Sequence, residues 1–188
     1  MNTYDFVHLS FLAMGGEIRG KTKLQKTVYF LGSLSCFAEE LGYRPHFYGP
    51  YSAEVADAVA RLRASGFVDQ NVVTGGSVDS SGFEVARHDF KLTDQGKQIA
   101  EHKTKDQPDL WKRITDAATV LRKAGDVDYV KMSIAAKTYF MLGEKKGKAS
   151  IGDLAELASK FGWSVTQQQL KEAMDFLERM HFVQIRKE

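Results

Sequence analysis

The chain has 188 residues, with 26 Lys or Arg against 24 Asp or Glu, and its formal net charge is +2. Charged residues make up 27% and hydrophobic residues 43%, fractions that exclude a disordered or fibrous protein. One cysteine excludes an internal disulfide framework, and no apolar run reaches the roughly 20 residues that span a bilayer. Because no basic side chain precedes Arg19, we expect no signal peptide, and hence a cytoplasmic protein without membrane contact.

The small basic excess permits nucleic-acid binding but does not argue for it, because domains that bind nucleic acids usually carry a stronger one. The charge is also distributed unevenly along the chain. Residues 1–50 carry a net +1, residues 51–105 a net −1 and residues 106–188 a net +2. The C-terminal part is therefore the better place to look for a DNA-binding surface.

The first part of the chain predicts two helices. Residues 4–14 are apolar almost all round, which favours a buried helix that the following pair of glycines ends. The next segment, up to Gly42, has apolar residues at helical spacing from Leu24 onwards. Cys36 falls on the apolar side of this second helix, so we expect it in the core.

A turn and a β-hairpin come next. Residues 42–51 hold two of the three prolines and predict a connector, after which Ser52 is placed to cap a helix. Alternating apolar residues then predict strands over Phe67–Val73 and Phe83–Leu92, joined by a Gly/Ser-rich tip that lacks basic side chains. Thr93 is predicted to cap the helix that follows.

The rest of the chain predicts four helices and a final strand. Periodic apolar positions place one linker helix within residues 106–126 and three helices within residues 127–188, the second of them capped by Ser150. A strand is predicted over Phe182–Ile185. The predicted parts are therefore residues 1–105, the linker helix and residues 127–188.

Both outer parts repeat one order of elements, namely three helices and then a strand or hairpin. In a winged helix-turn-helix unit the third helix packs across the first two, and the wing strands cover the edge of that core. The predicted fold class is therefore α+β, mainly α with small β-wings, as tandem winged helix-turn-helix units. Two units in one chain can mimic a dimer, so a monomer with pseudo-dimeric halves and a homodimer are both left open.

One motif points to a different function. Residues 15–22 read Gly-Gly-Glu-Ile-Arg-Gly-Lys-Thr and match the phosphate-loop pattern G-x-x-x-x-G-K-[ST]. That loop needs a strand before it and a magnesium-binding carboxylate after a second buried strand, and the sequence predicts neither. A nucleotide-binding enzyme that uses Gly15–Thr22 is therefore the less favoured alternative. No His or Cys residues have the spacing of a zinc site, so we expect no catalytic residue, cofactor or metal.

Candidate DNA contacts are found in both units. The third helix of the C-terminal unit begins with Ser, Thr and Gln side chains, which suit phosphate oxygens and adenine, and lysines lie in a nearby loop. The third helix of the N-terminal unit brings arginines, but also carboxylates near its start, where base contacts normally arise. A solvated polar helix face is the alternative interpretation. The candidates are Ser164, Thr166, Gln167, Gln168, Lys171, Lys145, Lys146, Lys148, Arg61, Arg63, Arg87 and Lys91.

Three sequence segments carry a family resemblance. Lys23–Phe30, Lys-Leu-Gln-Lys-Thr-Val-Tyr-Phe, and His46–Ser52, His-Phe-Tyr-Gly-Pro-Tyr-Ser, together with Leu62–Val68, resemble the YwgA-like family of uncharacterised bacterial proteins. They are more distantly similar to the Panacea antitoxin domain, which has a K-L-Q-K-x-x-Y helix and a later Tyr-Gly-Pro. The resemblance covers residues 10–100 approximately. It implies a winged-helix-like fold and a regulatory or antitoxin role without enzymatic activity.

The same segments predict an interaction patch. We expect the basic start of the second helix and the aromatic turn to meet in space and to bind a partner or an anion through Lys21, Lys23, Lys26, Tyr48 and Tyr51. The leading functional hypothesis is a non-enzymatic transcriptional regulator that binds double-stranded DNA. The alternative is an antitoxin or defence-type module that binds a protein partner.

Overall fold

The computed structural model describes residues 2–78, 84–125 and 128–184. This part of the chain is mainly helical with one small antiparallel sheet, which confirms the predicted α+β class. The helices are α1 (Thr3–Ala13), α2 (Lys21–Leu34), α3 (Ala53–Ala64), α4 (Asp94–Asp106), α5 (Pro108–Lys123), α6 (Tyr129–Glu144), α7 (Ile151–Lys160) and α8 (Gln167–Arg179). The strands are β1 (Glu17–Arg19), β2 (Val68–Val78) and β3 (Glu84–Leu92), and a 3₁₀ turn covers Glu39–Leu41.

Three helix starts lie where the sequence predicts them. The side chains of Ser52, Thr93 and Ser150 each accept a hydrogen bond from a backbone N–H in the first turn of α3, α4 and α7. Each cap satisfies one of the N–H groups that a helix leaves without an intrahelical partner at its start.

The sheet has the strand order β1-β3-β2, so the middle strand is the last one in the sequence. Ile18 lies opposite Phe90 and Val68 lies opposite Leu92, and these four buried side chains turn one face of the sheet towards the core. That face packs against α1, α2 and α3. Because β1 is only three residues long, it carries too little alternation to be predicted from the sequence.

The strand predicted over Phe182–Ile185 is wrong for residues 182–184. Residues 182–184 form no strand, and Ile185 lies outside the described residues. The ring of Phe182 lies 5.9 Å from that of Phe30 and 4.2 Å from that of Tyr139, centroid to centroid. Aromatic packing onto α2 and α6 therefore fixes this segment in place of a β-ladder.

Two further predictions near turns need correction. Cys36 is exposed rather than buried, because α2 ends at Leu34 and the backbone at Cys36 turns through a left-handed conformation with φ of 57°. The first strand of the hairpin is longer than predicted and takes up the start of the expected tip, as far as Val78. The rest of that tip, residues 79–82, lies outside the described residues.

The two predicted parts share one core. Helix α2 contacts α1 and α3, which belong to the N-terminal half, and also α5 and α6, which belong to the C-terminal half. Phe30 of α2 meets Phe176 of α8 edge to face, with ring centroids 6.2 Å apart. The buried apolar side chains from α1 to α8 form a single cluster. The division into residues 1–105 and residues 127–188 stays a prediction.

Candidate functional site

Residues 44–52, which we call the aromatic turn, connect the 3₁₀ turn to α3. The backbones of Arg44 and Tyr51 exchange two hydrogen bonds of 2.9 Å, one in each direction, and the Gly49 N–H donates to the His46 carbonyl at 2.9 Å. Gly49 has φ of 95°, which a residue with a side chain rarely adopts. Backbone hydrogen bonds therefore form the first set of contacts that close this turn.

Gln25 of α2 fastens the end of the aromatic turn. Its side-chain amide accepts a hydrogen bond from the Ser52 N–H at 3.1 Å and donates one to the Ser52 carbonyl at 3.0 Å. The hydroxyl of Ser52 in turn accepts from the Val55 N–H and caps α3. The Tyr43 hydroxyl donates to the Gln25 carbonyl at 2.7 Å, so both ends of the turn are tied to one position on α2.

Lys26, the next residue of the motif, lies beneath the turn rather than on the surface. Its side chain is 2% exposed, and Nζ donates to the Pro50 carbonyl at 2.7 Å. Burial, together with the nearby charge of Lys137, lowers the pKa of Lys26 to about 8. The expectation of an accessible Lys26 in an interaction patch is therefore wrong, because Pro50 and the core cover this side chain.

The C-terminal half holds the other side of the aromatic turn. Ser133 of α6 donates from its hydroxyl to the Tyr48 carbonyl at 2.6 Å. The buried indole of Trp163 donates from Nε1 to the His46 carbonyl at 2.7 Å. The turn is thus fixed by side chains from both halves of the molecule, although only the contacts from α2 have a signal in the sequence.

The side chains at the tip of the turn face solvent. Phe47 is 70% exposed and Tyr48 is 61% exposed, and their rings meet edge to face with centroids 5.0 Å apart. Tyr129 and Val130 stand one helical turn before Ser133 on α6 and are 61% and 43% exposed. The bond from Ser133 to the Tyr48 carbonyl attaches the turn to the first part of α6.

The other members of the predicted interaction patch do not all lie at the turn. The ring of Tyr51 is 37% exposed and lies 5.1 Å from the His46 ring. Lys21 is exposed near β3, where desolvation lowers the pKa of His88 and the charge of Lys21 adds to that effect. Lys23 lines a cavity of about 190 Å³ between α1, α2, α5, α6 and α8. The structure therefore brings Lys26 and both tyrosines together and places Lys21 and Lys23 elsewhere.

The predicted DNA-contacting residues of the C-terminal half are on the surface. The side chain of Thr166 caps α8 by accepting from the Gln169 N–H, and Gln168 donates to Glu172 at 3.0 Å. Local hydrogen bonds thus occupy two of the expected contacts. Exposed positions at the start of α8 and in the loop after α6 are Ser164, Gln167, Lys171, Lys145, Lys146 and Lys148.

The candidate arginines of the N-terminal half have carboxylate or aromatic neighbours. Arg61 lies 4.0 Å from Asp57 and stacks over the Tyr4 ring at 5.0 Å. Arg87 donates to Asp89 at 2.9 Å, and this pairing raises the pKa of the guanidinium. Arg63 and Lys91 are exposed. The exposed start of α3 carries acidic Glu54, as the sequence indicates, so this helix presents a mixed rather than a basic face.

Residues 15–22 do not have the geometry of a phosphate loop. Helix α1 precedes them, whereas a phosphate loop follows a strand. Glu17–Arg19 pair with β3, and the N–H of Gly20 donates to the His88 carbonyl at 2.9 Å. Backbone groups that would cradle a phosphate therefore belong to the sheet. Within the described ranges no cluster of three His, Cys, Asp or Glu residues is placed to hold a metal ion.

None of the helices in the described ranges combines the length and apolarity needed to cross a membrane.

Comparison with known proteins gives one relative of limited extent. No family model matches the chain. Over 96 residues the chain is 31% identical to the uncharacterised protein YwgA of Bacillus subtilis (strain 168), an alignment that covers 50% of this chain. The chain spans about half of that protein's length, 52%. This similarity supports the likeness to YwgA-like proteins, and the relative's name assigns no activity.

Proposed function

We propose that this chain is a non-enzymatic protein-interaction module of antitoxin or defence type, and that the aromatic turn is its partner-binding site. The observation that carries the proposal is the exposure of Phe47 and Tyr48 on a turn fixed by hydrogen bonds from α2, α6 and Trp163. Aromatic side chains are enriched at the centres of protein interfaces. A turn that is already rigid loses less conformational entropy when a partner binds.

The scaffold in this proposal is a winged helix. The N-terminal half has the order α1-β1-α2-α3-β2-β3 with β3 in the middle of the sheet, an order that supports the winged-helix interpretation. Helices α6, α7 and α8 supply the three helices of a second unit, whose predicted wing strand is missing from residues 182–184. Fold likeness alone does not fix function, so the proposal depends on the aromatic turn.

The test is capture of a partner from the source cells, followed by calorimetry with the purified partner. The double variant Phe47→Ser/Tyr48→Ser is expected to lose at least about tenfold in affinity, the usual scale for two central aromatic side chains. The control is Ile99→Ser, which alters an exposed apolar residue of α4, 37% exposed and away from the turn. A partner that binds the double variant as tightly as the unchanged protein contradicts the proposal.

A DNA-binding regulator is the second candidate function, and the exposed start of α8 favours it. Gln167 and Lys171 are exposed there, and Lys145, Lys146 and Lys148 are exposed in the loop after α6. If these residues contact phosphates, duplex DNA should be retarded in a gel at about 50 mM salt and released at about 200 mM. A triple variant with Gln in place of the three loop lysines should bind DNA with a weaker dependence on salt concentration. Absence of retardation at the lower salt concentration rejects this candidate.

A further inference from the structure

Two lysine side chains converge beneath the aromatic turn. A Cβ atom built on Gly49 would lie 2.9 Å from Cγ of Lys137 and 3.5 Å from Cε of each lysine, so both side chains pack against this buried glycine. Lys26 reaches it from α2 and Lys137 from α6. Nζ of Lys137 also lies 5.5 Å from the centre of the Trp163 ring, which borders the same turn.

This pair of positive charges is poorly compensated. An ammonium group has three donors, and Lys26 has one acceptor in the described residues, the Pro50 carbonyl. Burial lowers the pKa of Lys137 as well as that of Lys26, and no carboxylate in the described ranges opposes either effect. Buried or half-buried charges are costly unless they are paired. A negative group bound at Lys137, the half-buried member of the pair, would reduce this cost.

The apolar side chains and the lysine pair lie on the same turn. Phe47 and Tyr48 are exposed immediately before Gly49, and Pro50, which follows, accepts the hydrogen bond from Lys26. A ligand that covers the two rings therefore comes close to Lys137, whose side chain packs against Gly49. The surface combines an apolar contact with the half-buried positive charge of Lys137.

We infer that the aromatic turn binds an acidic peptide segment of a partner protein, with an apolar side chain on Phe47 and Tyr48 and a neighbouring carboxylate on Lys137. This inference rests on the proposed function and specifies the partner's chemistry. Because Lys26 is buried, Lys137 offers a ligand one ammonium group, which suits a single carboxylate. A single-stranded nucleic acid instead requires cations along a groove that follows its backbone. Complementary charge of this kind contributes mainly to specificity and to the rate of association.

The experiment is a display selection with short random peptides on the immobilised full chain, depleted against Phe47→Ser/Tyr48→Ser. The selected peptides should carry an aromatic or aliphatic residue next to Asp or Glu. Calorimetry should show a loss of about tenfold in affinity for Lys137→Gln and for a peptide whose carboxylate is changed to its amide. Lys137→Arg should retain binding, because it keeps the charge. Lys131→Gln, which removes an exposed lysine from the same helix, is the matched control.

The possible outcomes separate the inference from the proposed function. Peptides that need Phe47 and Tyr48 but carry no carboxylate, or that bind Lys137→Gln unchanged, overturn the inference and leave the proposed function standing. Failure to obtain any peptide that depends on the two aromatic residues counts against both. Binding of single-stranded oligothymidylate that weakens equally in Phe47→Ser/Tyr48→Ser and in Lys137→Gln overturns the inference in favour of a nucleic acid.

Discussion

Gly96 lies where the start of α4 packs closely against the backbone of Phe67. A Cβ atom at this position would lie 2.0 Å from the carbonyl oxygen of Phe67, which is backbone and cannot rotate away. Gly96→Ala is therefore expected to lower the free energy of unfolding by about 3 kcal/mol or more, or to prevent folding. Urea unfolding followed by circular dichroism measures the effect.

Gly143 provides the matched control for this substitution. It lies within α6, it is exposed, and a Cβ atom there would meet nothing within 4 Å. Gly143→Ala should leave stability unchanged or raise it by up to about 1 kcal/mol, because alanine favours the helix. Equal effects of the two substitutions would show that the contact at Gly96 does not matter for stability.

His8 makes stability depend on pH. Its ring is fully buried, stacks on Phe67 and contacts the Gly96 carbonyl through Nε2 at 2.8 Å, while Nδ1 has no partner in the described part of the chain. Burial, with the nearby positive charge of Lys103, lowers the pKa of His8 from 6.5 to about 4. Between these two pKa values the unfolded chain binds a proton that the folded chain does not. Stability therefore falls as pH decreases through this window.

The contribution of His8 can be measured by difference. A shift of this size corresponds to about 3 kcal/mol of stability lost between about pH 7 and pH 4. His8→Gln keeps a donor for the Gly96 carbonyl and cannot titrate, so its unfolding free energy should decrease less over the same range. Urea titrations of both proteins at several pH values give the comparison. Parallel pH profiles would exclude His8 as the cause.

At the scale of elements, the connection between α2 and α3 depends on Gln25. Replacing it by Leu keeps the approximate size but leaves the buried Ser52 N–H without its partner, while the Ser52 carbonyl keeps only the bond from the Ala56 N–H. We expect Gln25→Leu to lower the unfolding free energy by about 2–3 kcal/mol. It should also speed amide hydrogen exchange at Gly49 and Tyr51. Gln98→Leu, on the exposed face of α4, should change the unfolding free energy by no more than about 0.5 kcal/mol. It should leave the exchange rates at Gly49 and Tyr51 unchanged.

Unchanged exchange rates at Gly49 and Tyr51 in Gln25→Leu would mean that the turn is held without this side chain.

Elements with local causes could be predicted from the sequence. The caps Ser52, Thr93 and Ser150 act on N–H groups within three residues, so their pattern is visible in the sequence. Strand β1 exists because Glu17–Arg19 pair with β3, some 70 residues later, and no local pattern announces that pairing. The burial of Lys26 is missed for the same reason, since the Pro50 carbonyl that stabilises it lies on another element.

At the scale of the whole molecule, the candidate site joins both halves. The motif residues Gln25 and Lys26 point to the α2 side of the aromatic turn. Ser133, Lys137 and Trp163 lie more than 80 residues from the turn in sequence, and as ordinary helix and loop residues they carry no signal of their own. Only the packing of α6 against α2 shows that they belong to one site.

The shared core predicts that the two halves unfold together. Phe176 of α8 is buried against Phe30 of α2, so Phe176→Ala removes apolar contacts that connect the halves. It should lower the unfolding free energy by about 3–5 kcal/mol, the usual cost of a large core truncation. Amide exchange in urea should show the same loss in α1 as in α8, because one cooperative transition exposes both. Phe47→Ala, at an exposed aromatic residue, should cost less than about 0.5 kcal/mol. Destabilisation of α8 with α1 unaffected would instead mean that residues 1–105 and 127–188 fold as independent units.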